Sequence, residues 1–328
     1  MIYIETGSED VYYNFGLEYY FTLEKKLPDT VFLFWRTTPT LMVGKYQNVL
    51  EEINLPYARQ HGIHLVRRMS GGGTIYTDLG GWQYTFIQHT AERRIEFLKY
   101  TAPIIGAIRS LGGDASFDGR NDLLIKGRKF SGTAQYRLED AVVHHGSLLF
   151  ATDIEAMTAA TTVDPYKIIS RSIKSVRDRV ANLSEFLPGP LTSGQFKAAV
   201  VQHVMDGSTA VYKLTPEDDR RIRELAEEKF RSWKALYGTN PKFNIERTGH
   251  CRGGRIQFKL DVQHGIIRNA SVYGDFFAAL DAETIAGSLI GCRYEHDAVL
   301  AALRSHGLDH AIYRISAEDM AAVIAVPE

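Results

Sequence analysis

The apolar positions change their period several times along the chain, and each change marks an element. Val11, Phe15, Tyr19 and Leu23 recur at helical spacing behind Ser8, the expected cap, with Glu9 and Asp10 in the first turn. Residues 31–36 and 41–45 then read as strands around a turn at Pro39. A short helix is predicted to end near Gly62, and residues 63–69 alternate as a further strand. Past a run of glycines, residues 74–78 and 82–88 read as a hairpin turning at Leu79-Gly80-Gly81. Residues 94–111 read as a helix whose weakest position is Pro103. Segments 122–125, 128–137 and 141–150 form a second meander. Helices are expected at 153–161, 193–205 and 216–234, the last with Thr215 as cap and Pro216 in its first position.

Residues 237–241, Tyr-Gly-Thr-Asn-Pro, read as a linker. Beyond them, 254–262 and 266–273 make a hairpin across Gln263-His264-Gly265, and apolar helices near 282–289 and 297–304 should cover one of its faces. The pattern predicts an α+β fold. A large domain of mixed β-sheets flanked by helices spans 1–240, and a small α+β domain spans 241–328.

Composition narrows the classes. The chain has 328 residues, 45% of them hydrophobic, enough for two unequal domains with real cores. A net charge of −1 gives no basis for general nucleic-acid binding, so any nucleotide or acidic partner must be met by local basic clusters. Two cysteines, Cys251 and Cys292, exclude a disulfide framework and point to a reducing, cytoplasmic setting. No leader pattern and no run of roughly 18 apolar residues is present, so no membrane span is expected.

Four constellations carry candidate chemistry. Arg67-Arg68-Met69-Ser70-Gly71-Gly72-Gly73-Thr74-Ile75-Tyr76 places three glycines after two arginines. Such a loop suits anion binding through backbone N–H groups and bidentate guanidinium contacts. It lacks the ending of a P-loop, and a flexible turn with two solvated arginines is an equal reading. In the second, Asp122 precedes Lys126-Gly127-Arg128-Lys129-Phe130-Ser131-Gly132-Thr133. Strict alternation from Gly127 puts Lys129, Ser131 and Thr133 on one face, with Phe130 and Ala134 on the other. A lysine among hydroxyls suits charge stabilisation at a carboxyl or phosphoryl oxygen, although a solvated strand lysine is the commoner case. Asp122 is a candidate magnesium ligand. In the third, His144 and His145 are neighbours on a strand and face opposite ways, so at most one enters a site. The fourth, Lys174-Ser175-Val176-Arg177-Asp178-Arg179-Val180-Ala181-Asn182, is the densest basic stretch. It suits a cover over a nucleotide, a surface for an acidic partner, or a plain solvated helix face.

In this order the segments resemble the lipoate–protein ligase A family, whose pattern runs RR-x-SGGG-x-x-x-x-D, GRND, K-x-SG, HHG and KSVR-x-R-V-x-N. Here these stand at 67–78, 119–122, 129–132, 144–146 and 174–182. The resemblance implies a catalytic domain of the biotin/lipoate-ligase kind and a small accessory domain that reorients around the adenylate, with 237–241 as hinge. It implies that Lys129 is the catalytic cation, touching both the lipoyl carboxyl and the adenylate. It also implies ATP or adenylate contacts from Arg68, Gly73, Thr74, Ile75, Tyr76, Lys174 and Arg177, and lipoate contacts from Ser70, Gly71, Gly72 and His145. ATP and Mg2+ are expected as co-substrate and activator, lipoate as substrate, and no tightly bound prosthetic group. The implied acceptors are lipoyl domains of 2-oxoacid dehydrogenase E2 subunits and the glycine-cleavage H protein, modified by a monomer without nucleic acid or membrane. Thr77 departs from the family's usual histidine and is left out of the site, and Gly81 in place of asparagine is expected to loosen the turn. The tail slot for lipoate is expected near Trp82, Tyr84 and Phe86 or near Leu148 and Phe150. The nearest rival of the fold is a cysteine-dependent octanoyl- or lipoyl-transferase working through a thioester, disfavoured because no cysteine precedes Cys251; the others are a lipoyltransferase using preformed lipoyl-AMP and a biotin ligase.

Overall fold

The structure is a computed structural model that describes the chain except residues 48, 92–93, 162–175, 209, 233–234, 237–243 and 326–328. Lys174 and the 237–241 segment therefore lie outside the described residues. Contacts divide the rest into two compact units. One comprises Met1–Val43, Leu50–Arg68 and Ile75–Leu236; the other comprises Gly44–Val49, Met69–Thr74 and the residues after 243.

The first unit is built on an eight-stranded mixed sheet among the described residues. Its strands are β1 (Ile2–Ile4), β2 (Val31–Trp35), β6 (Gly81–His89), β7 (Ala115–Phe117), β8 (Asp122–Ile125), β9 (Arg128–Leu138), β10 (Ala141–Leu149) and β11 (Val211–Tyr212), in the spatial order β11-β1-β2-β6-β10-β9-β8-β7. The β11–β1–β2 edge is parallel and the remainder antiparallel. A second sheet has β3 (Thr40–Val43) between β4 (His64–Arg67), which is parallel to it, and β5 (Ile75–Thr77), which is antiparallel.

Period-2 alternation sends Trp82, Tyr84 and Phe86 to one face of the large sheet, where they join Phe32 and Phe34 beneath helices Phe97–Ser110 and Ser193–Met205. Ring pairs fill this layer, Phe34 with Trp82 at 5.0 Å and Phe150 with Phe196 at 4.4 Å. The expected tail slot near Trp82, Tyr84, Phe86, Leu148 and Phe150 is thus a packed core; all five are buried in one cluster.

The opposite face takes helix Val11–Leu23. Asp10, not Ser8, caps it by accepting from the Tyr12 amide, and Ser8 instead accepts from the Asp10 amide. Ten of its thirteen residues are buried, far more than the single stripe at 11, 15, 19 and 23. Helix Pro216–Leu225 packs alongside with the Thr215 cap as expected, and then continues as a π-helix over Ala226–Arg231.

The expected 74–88 hairpin does not form. β5 pairs with β3 in the small sheet while β6 pairs with β2 and β10 in the large one. The turn between them is a corner rather than a loose hairpin. A side chain at Gly80 would meet the Ala151 carbonyl at 2.0 Å, and the Gly80 carbonyl accepts from the Ala151 amide at 2.7 Å. Gly81 is close-packed against Thr152 and Thr77.

In the second unit β12 (Ile245–Cys251), β13 (Gly254–Gln263) and β14 (Ile266–Gly274) form an antiparallel sheet. Helices Ala282–Ser288, His296–Ser305 and Ala317–Ile324 share its core. The hairpin turn at His264 and Gly265 has positive φ at both positions, as a two-residue turn requires. β12 and the helix at Ala317–Ile324 were not anticipated from the sequence. No helix among the described residues is long and apolar enough to cross a membrane.

Candidate active site

Lys129 opens β9. Its ammonium lies 2.7 Å from Asp122 on β8 and folds over Gly132, where a side chain would sit 3.0 Å from the nitrogen. The lysine is 38% exposed, so its charge faces a solvent-accessible surface with a carboxylate beside it. The β8–β9 register shifts between Leu123 and Leu124, so that Lys129 pairs with Leu124 and Ser131 with Leu123. Phe130 is the extra residue of a β-bulge, and Lys129 and Ser131 answer to adjacent, oppositely facing positions of β8. The expected single face of Lys129, Ser131 and Thr133 is therefore broken. Ser131 and Thr133 are buried, and Lys129 stands apart from them with Asp122.

The histidines divide as the alternation predicts. His144 is in the core, stacked on Tyr100 at 5.1 Å with Phe97 at its edge, and neither ring nitrogen has a partner among the described residues. Burial, and then the neighbouring His145, hold its pKa well below the ordinary value. The folded protein therefore keeps His144 neutral while the unfolded chain takes up a proton below about pH 6.5. Stability contributed by this group is complete above that pH and falls with acidification, by about 1.4 kcal/mol per pH unit until the folded pKa is reached. Urea midpoints measured between pH 7 and 5 should show this slope, and His144→Phe should flatten it; equal slopes in both proteins would refute the assignment.

His145 looks the other way. Its Nδ1 is 3.1 Å from Glu18, a carboxylate only 1% exposed on helix Val11–Leu23. Glu18 also accepts from the Thr85 hydroxyl at 2.9 Å and from the Tyr136 hydroxyl at 3.0 Å, and Trp35 Nε1 donates to Thr85. Sequence reasoning missed Glu18. Its signal was a lone acid inside Phe-Gly-Leu-Glu-Tyr-Tyr-Phe, a segment too apolar to leave any face in water.

The paired arginines diverge. Arg67 donates Nε and Nη2 to the Leu236 carbonyl, whereas Arg68 is buried and donates to the Met42 carbonyl at 2.8 Å. Burial, followed by the charge of Arg67, lowers the Arg68 pKa to about 10, which leaves it protonated at neutral pH. Ile75 and Tyr76 lie on β5 in the same unit, the tyrosine buried. Thr77 is buried and its hydroxyl accepts from Gln83 at 2.7 Å.

Ser70, Gly71, Gly72, Gly73 and Thr74 belong by contact to the second unit. Gly71 admits no side chain because the Phe276 carbonyl would be 2.0 Å from its Cβ, and Gly72 has φ +91°. The Gly72 amide donates to that Phe276 carbonyl at 2.9 Å, so an anion meeting it must displace this bond. The Thr74 hydroxyl donates to Gln47, and the Ser70 carbonyl accepts from the Lys45 backbone amide.

Arg177 follows in a helical turn over 176–179 and pairs with Glu155. It lines a cleft of about 430 Å³ together with Arg128, Thr152, Val180 and Asn182. No group of three or more His, Cys, Asp or Glu side chains able to hold a metal occurs among the described residues.

Comparison with known proteins assigns the chain. Residues 10–205 match the lipoyl protein ligase A/B catalytic domain, and 240–324 match the bacterial lipoate protein ligase C-terminus. The chain is 39% identical over 90% of its length to lipoate–protein ligase 1 of Staphylococcus aureus, covering 91% of that protein. It is 35% identical over 97% of its length to the lipoate-protein ligase LplJ of Bacillus subtilis, covering 98% of that protein. Its fold superposes on P. falciparum LipL1, solved with lipoate, at a TM-score of 0.78 and 20% identity over 92% of this chain and 94% of that one. A lipoate-protein ligase A solved with ATP gives 0.60 at 22% identity over 72% and 97%. The chain thus belongs to the lipoyl protein ligase A/B family, with that family's catalytic domain followed by a bacterial lipoate protein ligase C-terminus.

Proposed function

We propose that this protein is an ATP-dependent lipoate–protein ligase acting through lipoyl-AMP, with Lys129 as its central cation. The observation that carries the reading is the aimed Lys129 ammonium beside Asp122, in a family member with no cysteine before Cys251. A lipoate carboxylate oxygen attacks the α-phosphorus of ATP, forming the mixed anhydride as the bond to the β-phosphate oxygen breaks and pyrophosphate leaves. The neutral amine of an acceptor lysine then attacks the acyl carbon, loses a proton, and expels AMP with the C–O electron pair. Lys129 neutralises oxygen charge in both steps and is not consumed. Arg68, Gly73, Thr74, Ile75, Tyr76, Lys174 and Arg177 are assigned to the nucleotide, and Ser70, Gly71, Gly72 and His145 to lipoate.

Asp122, which is 26% exposed beside Lys129, is the residue that would hold a magnesium ion brought in by the nucleotide, whose phosphates would supply most of its oxygens, and the ion would add positive charge against the phosphates. A thioester route finds no support. Both cysteines belong to the C-terminal unit, and burial, first of all, raises both thiols above their ordinary pKa, which suppresses the thiolate. The acceptors are lipoyl domains of 2-oxoacid dehydrogenase E2 subunits and the glycine-cleavage H protein, the enzyme acting as a cytoplasmic monomer.

The test is mass spectrometry of an apo lipoyl domain incubated with the protein, ATP, magnesium and lipoate. A lipoyl mass gain that requires ATP, with pyrophosphate released, is expected. A gain only with preformed lipoyl-AMP would reduce the protein to a transferase, and no gain with either donor would overturn the reading.

A further inference from the structure

The start of β9 at Arg128 and Lys129 is tied to a second segment. The Lys129 carbonyl accepts from the Ala181 amide at 2.8 Å, and Lys129 and Val180 form a parallel bridge. The residue before it reaches the same segment through its side chain. Arg128 Nε donates to the Val180 carbonyl at 2.9 Å and Nη2 donates to the Arg177 carbonyl at 2.5 Å. These carbonyls close the turn over 176–179, whose last bond runs from the Val180 amide to the Val176 carbonyl. Carbonyls at the end of a helical turn lack internal donors, and a cation there satisfies both their hydrogen bonding and their partial charge. The guanidinium also lies 5.3 Å from the Phe186 ring centre, which backs the fork from one side. The far end of the segment is fastened by Asn182, which accepts from the Thr152 amide at 2.9 Å and donates to the Thr152 carbonyl at 3.0 Å.

We propose that Arg128 is a positioning residue for the ligase reaction, clamping the 176–180 segment onto β9 so that Arg177 and Lys129 meet the nucleotide in a fixed relation. The inference rests on the nucleotide role proposed for Arg177. A planar guanidinium is required because two divergent donors must reach two carbonyls three residues apart, which an ammonium point charge does less well.

The experiment compares wild type, R128M, R128K, R177A and the R128M/R177A double variant by pyrophosphate release across ATP and lipoate titrations. R128M should raise KM for ATP about tenfold, with kcat and KM for lipoate changed by less than about threefold, and R128K should fall between it and wild type. The double variant should be no worse than R177A, because the clamp acts through Arg177. A merely structural arginine would lower kcat and the thermal midpoint together and leave KM for ATP in place. That pattern, or additive effects in the double variant, overturns the proposal. If R128M does not fold, R128K decides by the same split. Calorimetric titration of ATP repeats the comparison without turnover. An inactive wild type would then sink the ligase reading, while the ratio of ATP affinities still judges the clamp.

Discussion

Replacing Lys129 with alanine is expected to slow lipoyl transfer by on the order of 10²–10³-fold, the usual cost of losing one preorganised donor at a developing oxyanion. The expectation comes from how the side chain is held. Asp122 lies 2.7 Å from the ammonium as an ion pair, Gly132 leaves room for it, and the Lys129 backbone is tied to Ala181. The charge therefore needs little reorganisation when oxygen charge develops. Single-turnover pyrophosphate release and transfer from synthetic lipoyl-AMP should both fall, since the same cation serves both steps. Folding should be little changed, because the side chain is more than a third exposed. Near-normal rates in either assay would remove Lys129 from that step.

The largest stability effect is expected far from this chemistry, at Asp218. This carboxylate is 1% exposed and accepts from the hydroxyls of Tyr20 and Tyr212 and from Lys25, each at 2.7 Å, and from the Thr215 amide at 2.9 Å. Burial alone would raise its pKa. The hydrogen bonds from Lys25, Thr215, Tyr212 and Tyr20 outweigh it and hold the group well below the usual carboxylate range. One side chain thus joins helix Val11–Leu23, the edge strand β11 and the cap of helix Pro216–Leu225. Asp218→Ala should cost about 3 kcal/mol, because it strands several donors at once. Asp218→Asn, which keeps an acceptor but loses the charge, should cost clearly less. Urea denaturation reads both, and a loss at Asp218→Ala no greater than at an exposed surface position would show that water replaces the carboxylate.

Much of the architecture was legible before any coordinates. Strand segments 122–125, 128–137 and 141–150 and helix 193–205 emerge within a residue of their expected bounds. Their signals are local: alternation, turn residues between the strands, and helical spacing. Misreadings arose where a local signal met a distant partner. Residues 74–88 look like a hairpin in isolation, yet β5 and β6 find different sheets because the chain turns against Ala151. Trp82 and Tyr84 read as slot lining, yet helices from elsewhere in the chain fill the space beside them.

The order of residues by itself determined the family, the α+β class and the inventory of chemistry, because period, turn residues and ordered motifs are properties of neighbouring positions. The tertiary structure alone decided which face each inventory member occupies. A one-residue bulge at Phe130 separated Lys129 from Ser131, a buried Glu18 claimed His145, and backbone from Phe276 took the Gly72 amide. The physical reason is common to all three. Strand register, burial of a charge and satisfaction of a backbone donor are each settled by groups that arrive from elsewhere in the chain, and spacing within a motif carries no record of them.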